Sequence, residues 1–302
     1  MGYSGRYHAA SLAAVFLALA IGILIGVGLG HNVIPAAQKD LEQSLKSDLS
    51  AARGRSDSLQ SQLNQQKEFA QDAYPGLVGG QLRGDRIAVV ALGALPDEMK
   101  GSIEAVVGPS SPTGATLGEV AVLREPPDLQ ALSSAAPPAS PASHLTRNTD
   151  ALPDLGRRIG RALVLGGSPL DRFSGSALAR ISGRAGRIDG VIVVRSQPTD
   201  MNQNQVAATS ALESGILAGL ERAGSTPVVG VERSDADGSS IGYFESEGVT
   251  ATVDSIDLTS GQVALTYALA GTRGNYGVKS SADRLLPTLR HPAPASAAPP
   301  AP

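Results

Sequence analysis

Cysteine and tryptophan are absent from the 302 residues, and aromatic residues make up only 3% of the chain. Without cysteine there can be no disulfide, no iron–sulfur cluster and no thiolate metal site. An exported protein is compatible with that absence but is not established by it. Methionine is nearly as scarce, at Met1, Met99 and Met201, and the four histidines, His8, His31, His144 and His291, are scattered along the chain. No two of them have the spacing of metal ligands on one helix or hairpin, so no metal site is expected within a single chain. A formal net charge of −3 with so few aromatics argues against nucleic-acid binding. Glycine-rich phosphate loops are missing too. The residues after the first predicted strand read Gly93-Ala94-Leu95-Pro96-Asp97, which is not G-x-G-x-x-G, and neither a Walker loop nor a G-x-S-x-G elbow occurs. No cofactor, no catalytic set and no enzyme activity are therefore predicted.

Charge is also missing from Ala9 to Gly30, and here the gap is informative. At ~1.5 Å per residue such a run reaches the ~30 Å of a bilayer's hydrocarbon core. A cleavable signal peptide would have a shorter apolar region of ~7–15 residues. The reading is a single transmembrane helix over 9–30 behind a short tail, 1–8. Arg6 before the span is nearly balanced by Lys39 and Lys46 after it. Being nearest the membrane, Arg6 favours a cytoplasmic N-terminus and an extracytoplasmic remainder at the cell membrane. Ala14, Ala18, Gly22, Gly26 and Gly30 recur at every fourth position. That spacing predicts a homodimer seam along one helix face, although an Ala- and Gly-rich chain also scatters small residues by chance.

The stretch 36–74 has Gly54 as its one glycine, and proline is absent from it. Leu45, Leu49, Ala52, Ser56, Leu59, Leu63, Gln66 and Ala70 fall close to alternating three- and four-residue steps, which predicts a coiled coil with a weak seam. A single amphipathic helix is the alternative. Tyr74-Pro75-Gly76 is expected to end it.

Residues 76–288 read as one α/β domain. Short β-branched runs at 86–92, 116–123, 188–195, 227–232 and 249–253 suit buried strands. Helical patterns at 97–107, 154–165, 169–183, 202–223 and 259–270 separate them. The alternation predicts a parallel sheet in a three-layer, Rossmann-like or flavodoxin-like head. The Pro/Ala/Ser-rich stretch 126–143 is expected to be a mobile loop, and 289–302 a disordered Pro/Ala-rich tail. Asp97, Arg195, Glu232 and Arg233 lie at predicted carboxyl ends of strands, where open α/β sheets bind ligands, and Lys279 is a further candidate for binding an anion or carboxylate. The competing reading is that these are ordinary polar loop residues.

Four strings carry a family resemblance: RYHAASLAAVFLALAIG at 6–22, GLVGGQLRGDRIAVVAL at 76–92, VDSIDLTSGQVALTYALAG at 253–271 and YGVKSSADRLLP at 276–287. Together they resemble the actinobacterial family of mycobacterial copper transport protein B. The resemblance implies an envelope protein of copper export or copper homeostasis, with copper a partner on that ground alone. The physical pattern by itself is equally that of a non-enzymatic, dimeric coiled-coil scaffold recruiting envelope or cell-division partners.

Overall fold

The computed structural model describes residues 5–183 and 187–289, with the side chains of 5–6 and 29–40 left aside. Most of the expected tail, 289–302, therefore lies outside the described residues. Residues up to Gln66 form one unit and those from Lys67 another.

The first unit belongs to helix α1, Gly5–Val78. Tyr7–Gly28 is 22 residues long and apolar enough to cross a membrane, about 33 Å at the helical rise. A Cβ added at Gly22 or Gly26 meets nothing within 4 Å. Leu45, Leu49, Leu59 and Leu63 are all half or more exposed in the single chain. The expected break at Tyr74-Pro75-Gly76 does not occur, since α1 continues to Val78. Proline costs a helix one backbone donor, but Tyr74 and Val78 are buried against Val263 and Tyr267. The Tyr267 hydroxyl also donates to the Leu77 carbonyl at 3.0 Å. Burial holds the last turn together past the proline. The helix ends at Val78, and the chain turns away at Gly80, whose φ of +70° suits glycine.

The second unit is built on a seven-stranded sheet of order β3-β2-β1-β4-β5-β6-β7. Its strands are β1 Arg86–Gly93, β2 Thr116–Leu123, β3 Leu178–Gly183, β4 Gly190–Ser196, β5 Val228–Val231, β6 Ala251–Val253 and β7 Gly274–Tyr276. All neighbours are parallel except the edge strand β3, which runs antiparallel to β2. Central strands are apolar on both faces because both faces are covered. Val90, Leu92, Val191 and Val193 point into one core; Ile87, Val89, Ile192 and Val194 alternate into the other.

Helices α3 Leu129–Ala135, α4 Leu152–Leu165, α5 Ser168–Ala177, α6 Gln203–Glu221 and α7 Ile241–Ser246 contribute to the first core. Helices α2 Asp97–Val107 and α8 Thr259–Leu269 contribute to the second. Gly156 and Gly160 of α4 meet Gly215 and Gly219 of α6 backbone to backbone. A Cβ at Gly160 would stand 2.2 Å from the Ile216 carbonyl oxygen, and one at Gly219 would stand 2.3 Å from that of Arg157.

Two further local expectations need correction. The helix predicted over 169–183 ends at Ala177, and Leu178–Gly183 is the edge strand β3. Short apolar patterns of this length do not distinguish helix from strand, and pairing with β2 decides the matter. The stretch 126–143, expected as a loop, holds α3 and a 3-10 turn at Pro141–His144. Leu132 and Ala142 bury into the core, and Asp128 caps the amide of Ala131 at 2.9 Å. Strand β7, three residues long, escaped the sequence reading altogether.

Candidate functional site

The chain leaves β1 toward β2 on one side, and β4 lies on the other. The carboxyl ends of β1 and β4 therefore flank a topological switch point, where ligands bind in open α/β sheets. A buried polar cluster occupies this end of the sheet. Arg195, at the end of β4, donates from Nε to both oxygens of Glu213 at 3.2 Å and from Nη2 to Oε2 at 3.2 Å. Gln197 adds a third donor, and a fourth bond, at 2.9 Å. Glu213 projects from α6 and is fully buried, so these charge-assisted bonds are what keep it tolerable there. The Arg195 guanidinium also lies over the Tyr243 ring, its Cζ 4.1 Å from the centroid.

Glu125 follows β2 and completes the cluster. Both its carboxyl oxygens are buried, with no hydrogen-bond partner among the described residues besides the neighbouring Glu213 carboxyl, and the Tyr243 hydroxyl is unpartnered. Burial, and then the neighbouring Glu213 carboxylate, push the Glu125 carboxyl up to about 9. Burial also raises Glu213, opposed by Arg195. At neutral pH Glu125 keeps its proton, and a proton between the two carboxyls lets them sit side by side. Gly93, at the end of β1, has φ +86°; a Cβ there would stand 2.1 Å from the Ser196 carbonyl oxygen and 2.9 Å from Glu125 Oε2. Only glycine fits, and the crevice is closed by backbone at this point.

A second cluster lies at the ends of β5 and β6. Glu232 is buried, and receives Lys279 Nζ at 2.6 Å, Ser239 Oγ at 2.9 Å and the Ser240 amide at 2.7 Å. Asp254 accepts from the amides of Val278 and Lys279 at 2.8 and 2.9 Å. Gly277, with φ +146°, passes so close that a Cβ would overlap the Asp254 carboxylate. The YGVK segment is thus clamped onto the carboxyl end of the sheet.

Of the residues singled out from the sequence, Glu232 and Lys279 come together, so the carboxylate that Lys279 meets is the chain's own. Arg195 belongs to the first cluster. Arg233 pairs with Asp235 at 2.8 and 3.0 Å, and Asp97 stands exposed in the first turn of α2. Glu125, Glu213, Gln197 and Tyr243 were not singled out. Glu213 was detectable, because it interrupts an apolar helix face four residues after Thr209 and three before Ile216. Glu125, in a Glu-Pro-Pro loop, carries no such signal. The described residues contain no group of three or more His, Cys, Asp and Glu side chains placed to hold a metal ion.

These features define a class: a mostly parallel, mixed α/β domain preceded by one helix of membrane-crossing length, with polar clusters at the carboxyl end of the sheet. The family described as "Copper transport outer membrane protein, MctB" matches residues 3–287, and the chain belongs to that family. It is 26% identical over 310 residues to proteins named copper transporter MctB from Mycobacterium bovis and Mycobacterium tuberculosis, covering 90% of this chain and 95% of theirs. No solved structure matches the chain.

Proposed function

We propose that the chain is a non-enzymatic, membrane-anchored envelope protein of copper efflux or homeostasis, held at the cell membrane by Tyr7–Gly28 with its head extracytoplasmic. The carrying observation is the family match over residues 3–287; the names of the relatives, copper transporters, supply the cargo. Copper is read as cargo and not as a resident group. Copper(I) takes sulfur ligands and copper(II) imidazole, but Met99 is buried in one core, Met201 accepts a bond from Thr209, and His8 and His144 lie in separate elements. A copper ion would pass by way of an assembly, and assembly is the role we assign to α1.

In that reading Ala14, Ala18, Gly22, Gly26 and Gly30 line a homodimer seam, continued by the half-exposed leucines of 36–74 as a coiled coil. The head is read as flavodoxin-like, since its parallel strands β2-β1-β4-β5-β6 follow the order of that topology. Gly26→Cys in membranes is expected to crosslink as a disulfide dimer, whereas Cys placed at Ile25 on another face crosslinks poorly; equal yields at both would remove the seam. A strain lacking the chain is expected to be inhibited by lower copper than its parent. The full chain should restore growth, and a chain lacking the head should not. Growth that does not depend on the chain at any copper level would overturn the assignment.

A further inference from the structure

The Pro/Ala/Ser-rich stretch that joins β2 to α4 is more ordered than its composition requires. Ser143 Oγ donates to the Ser140 carbonyl at 2.7 Å, and the Ser140 side chain accepts from the Ala142 amide at 3.3 Å. The folded segment forms one wall of a cavity of about 210 Å³, opposite the first turns of α4 and α5. Leu155, Phe173 and Ala142, all buried, line it together with Pro141 and Pro169. Its polar lining includes Arg158 and Arg172 against a single acid, Asp154. That acid is engaged by Arg157 and lies 3.6 Å from Arg158. Arg172 has no ion pair among the described residues. The lining is therefore mixed, with apolar side chains beside polar ones and a surplus of positive charge.

We propose that this cavity binds a small organic anion with an apolar body, an aryl or short acyl carboxylate. Its charged group meets Arg172 and Arg158, and its body packs on Phe173 and Leu155. The volume sets the size, being below the roughly 300–1,000 Å³ of sites for drug-sized ligands. Guanidinium matches a carboxylate in planar, two-bond geometry and favours it over a neutral isostere. Both arginines are largely exposed, so the attraction is screened, and a ligand of about ten heavy atoms is expected to bind in the submillimolar to millimolar range. The site is independent of the polar clusters at the end of the sheet and of the copper assignment.

The test uses the full chain in lipid nanodiscs with para-fluorobenzoate as the probe, followed by fluorine NMR against empty nanodiscs. Saturable binding is expected, weakened roughly tenfold in Arg172→Ala by the loss of one charge-assisted bond. It should be unchanged in Arg180→Ala, which alters an arginine outside the cavity. The neutral para-fluorobenzamide should bind at least as weakly as the benzoate does to Arg172→Ala. Absence of saturable binding, equal binding to wild type and Arg172→Ala, or equal binding of amide and carboxylate would each overturn the proposal.

Discussion

Replacing Glu125 by Gln is expected to flatten the pH dependence of stability and to make the protein more stable than wild type in alkali. Glu125 holds its proton in the folded chain up to about pH 9, against an ordinary value of 4.5. Between those values the native state keeps a proton that the unfolded state has released. Stability therefore falls as pH rises through that window and levels off above it. Glutamine keeps the shape, cannot ionise, and offers Glu213 an N–H in place of the shared proton. At about pH 5 the two proteins should unfold at similar temperatures. At about pH 9 the variant should be more stable by on the order of 2–4 kcal/mol, below full linkage because part of the shift belongs to the interacting Glu125–Glu213 pair and not to Glu125 alone. Thermal unfolding of both proteins across this range provides the check. Parallel curves would show that Glu125 is already ionised in the folded state.

The contact between α4 and α6 gives the other large effect. In an exposed helix, Gly→Ala stabilises by roughly 0.5–1 kcal/mol, because glycine carries the greater backbone entropy. Gly101 in α2, with nothing within 4 Å of an added Cβ, should behave that way. At Gly160 the sign reverses. The obstructing atoms, the Ile216 carbonyl oxygen at 2.2 Å and carbon at 3.0 Å, are backbone, so no rotamer change relieves the overlap. Gly160→Ala is expected to lower stability by about 1–3 kcal/mol, as overpacking of a rigid contact does. Denaturant titration of the two variants side by side measures the difference. If both shift in the same direction, the close approach of α4 and α6 is not what the glycines serve.

These residues also mark how far the sequence could be read. Gly156-x-x-x-Gly160 and Gly215-x-x-x-Gly219 have the same four-residue spacing as Gly22, Gly26 and Gly30. In the apolar span that spacing stands against a uniform background; within α4 and α6 it is hidden among ordinary amphipathic positions. Strands β1 and β2 and helix α2 were legible nearly to the residue, because buried β-branched runs bounded by glycine and proline leave few alternatives. Strands β3 and β7 were not, since an edge strand exposed over Ala179–Gly183 and a three-residue strand are defined by their partners more than by their own pattern. The polar clusters were half visible. Arg195, Glu232 and Lys279 follow from strand ends and a distinctive C-terminal motif, but only the tertiary fold shows that Glu213 and Glu125 meet Arg195.

Copper content decides the central assignment most directly. Cell-associated copper, measured by mass spectrometry after a copper load, should rise several-fold in a strain lacking the chain. The full chain should return it to the parental level, and a chain lacking Tyr7–Gly28 should not. Unchanged copper on deletion, or full restoration by the chain without its apolar helix, would contradict a membrane-anchored role in copper homeostasis.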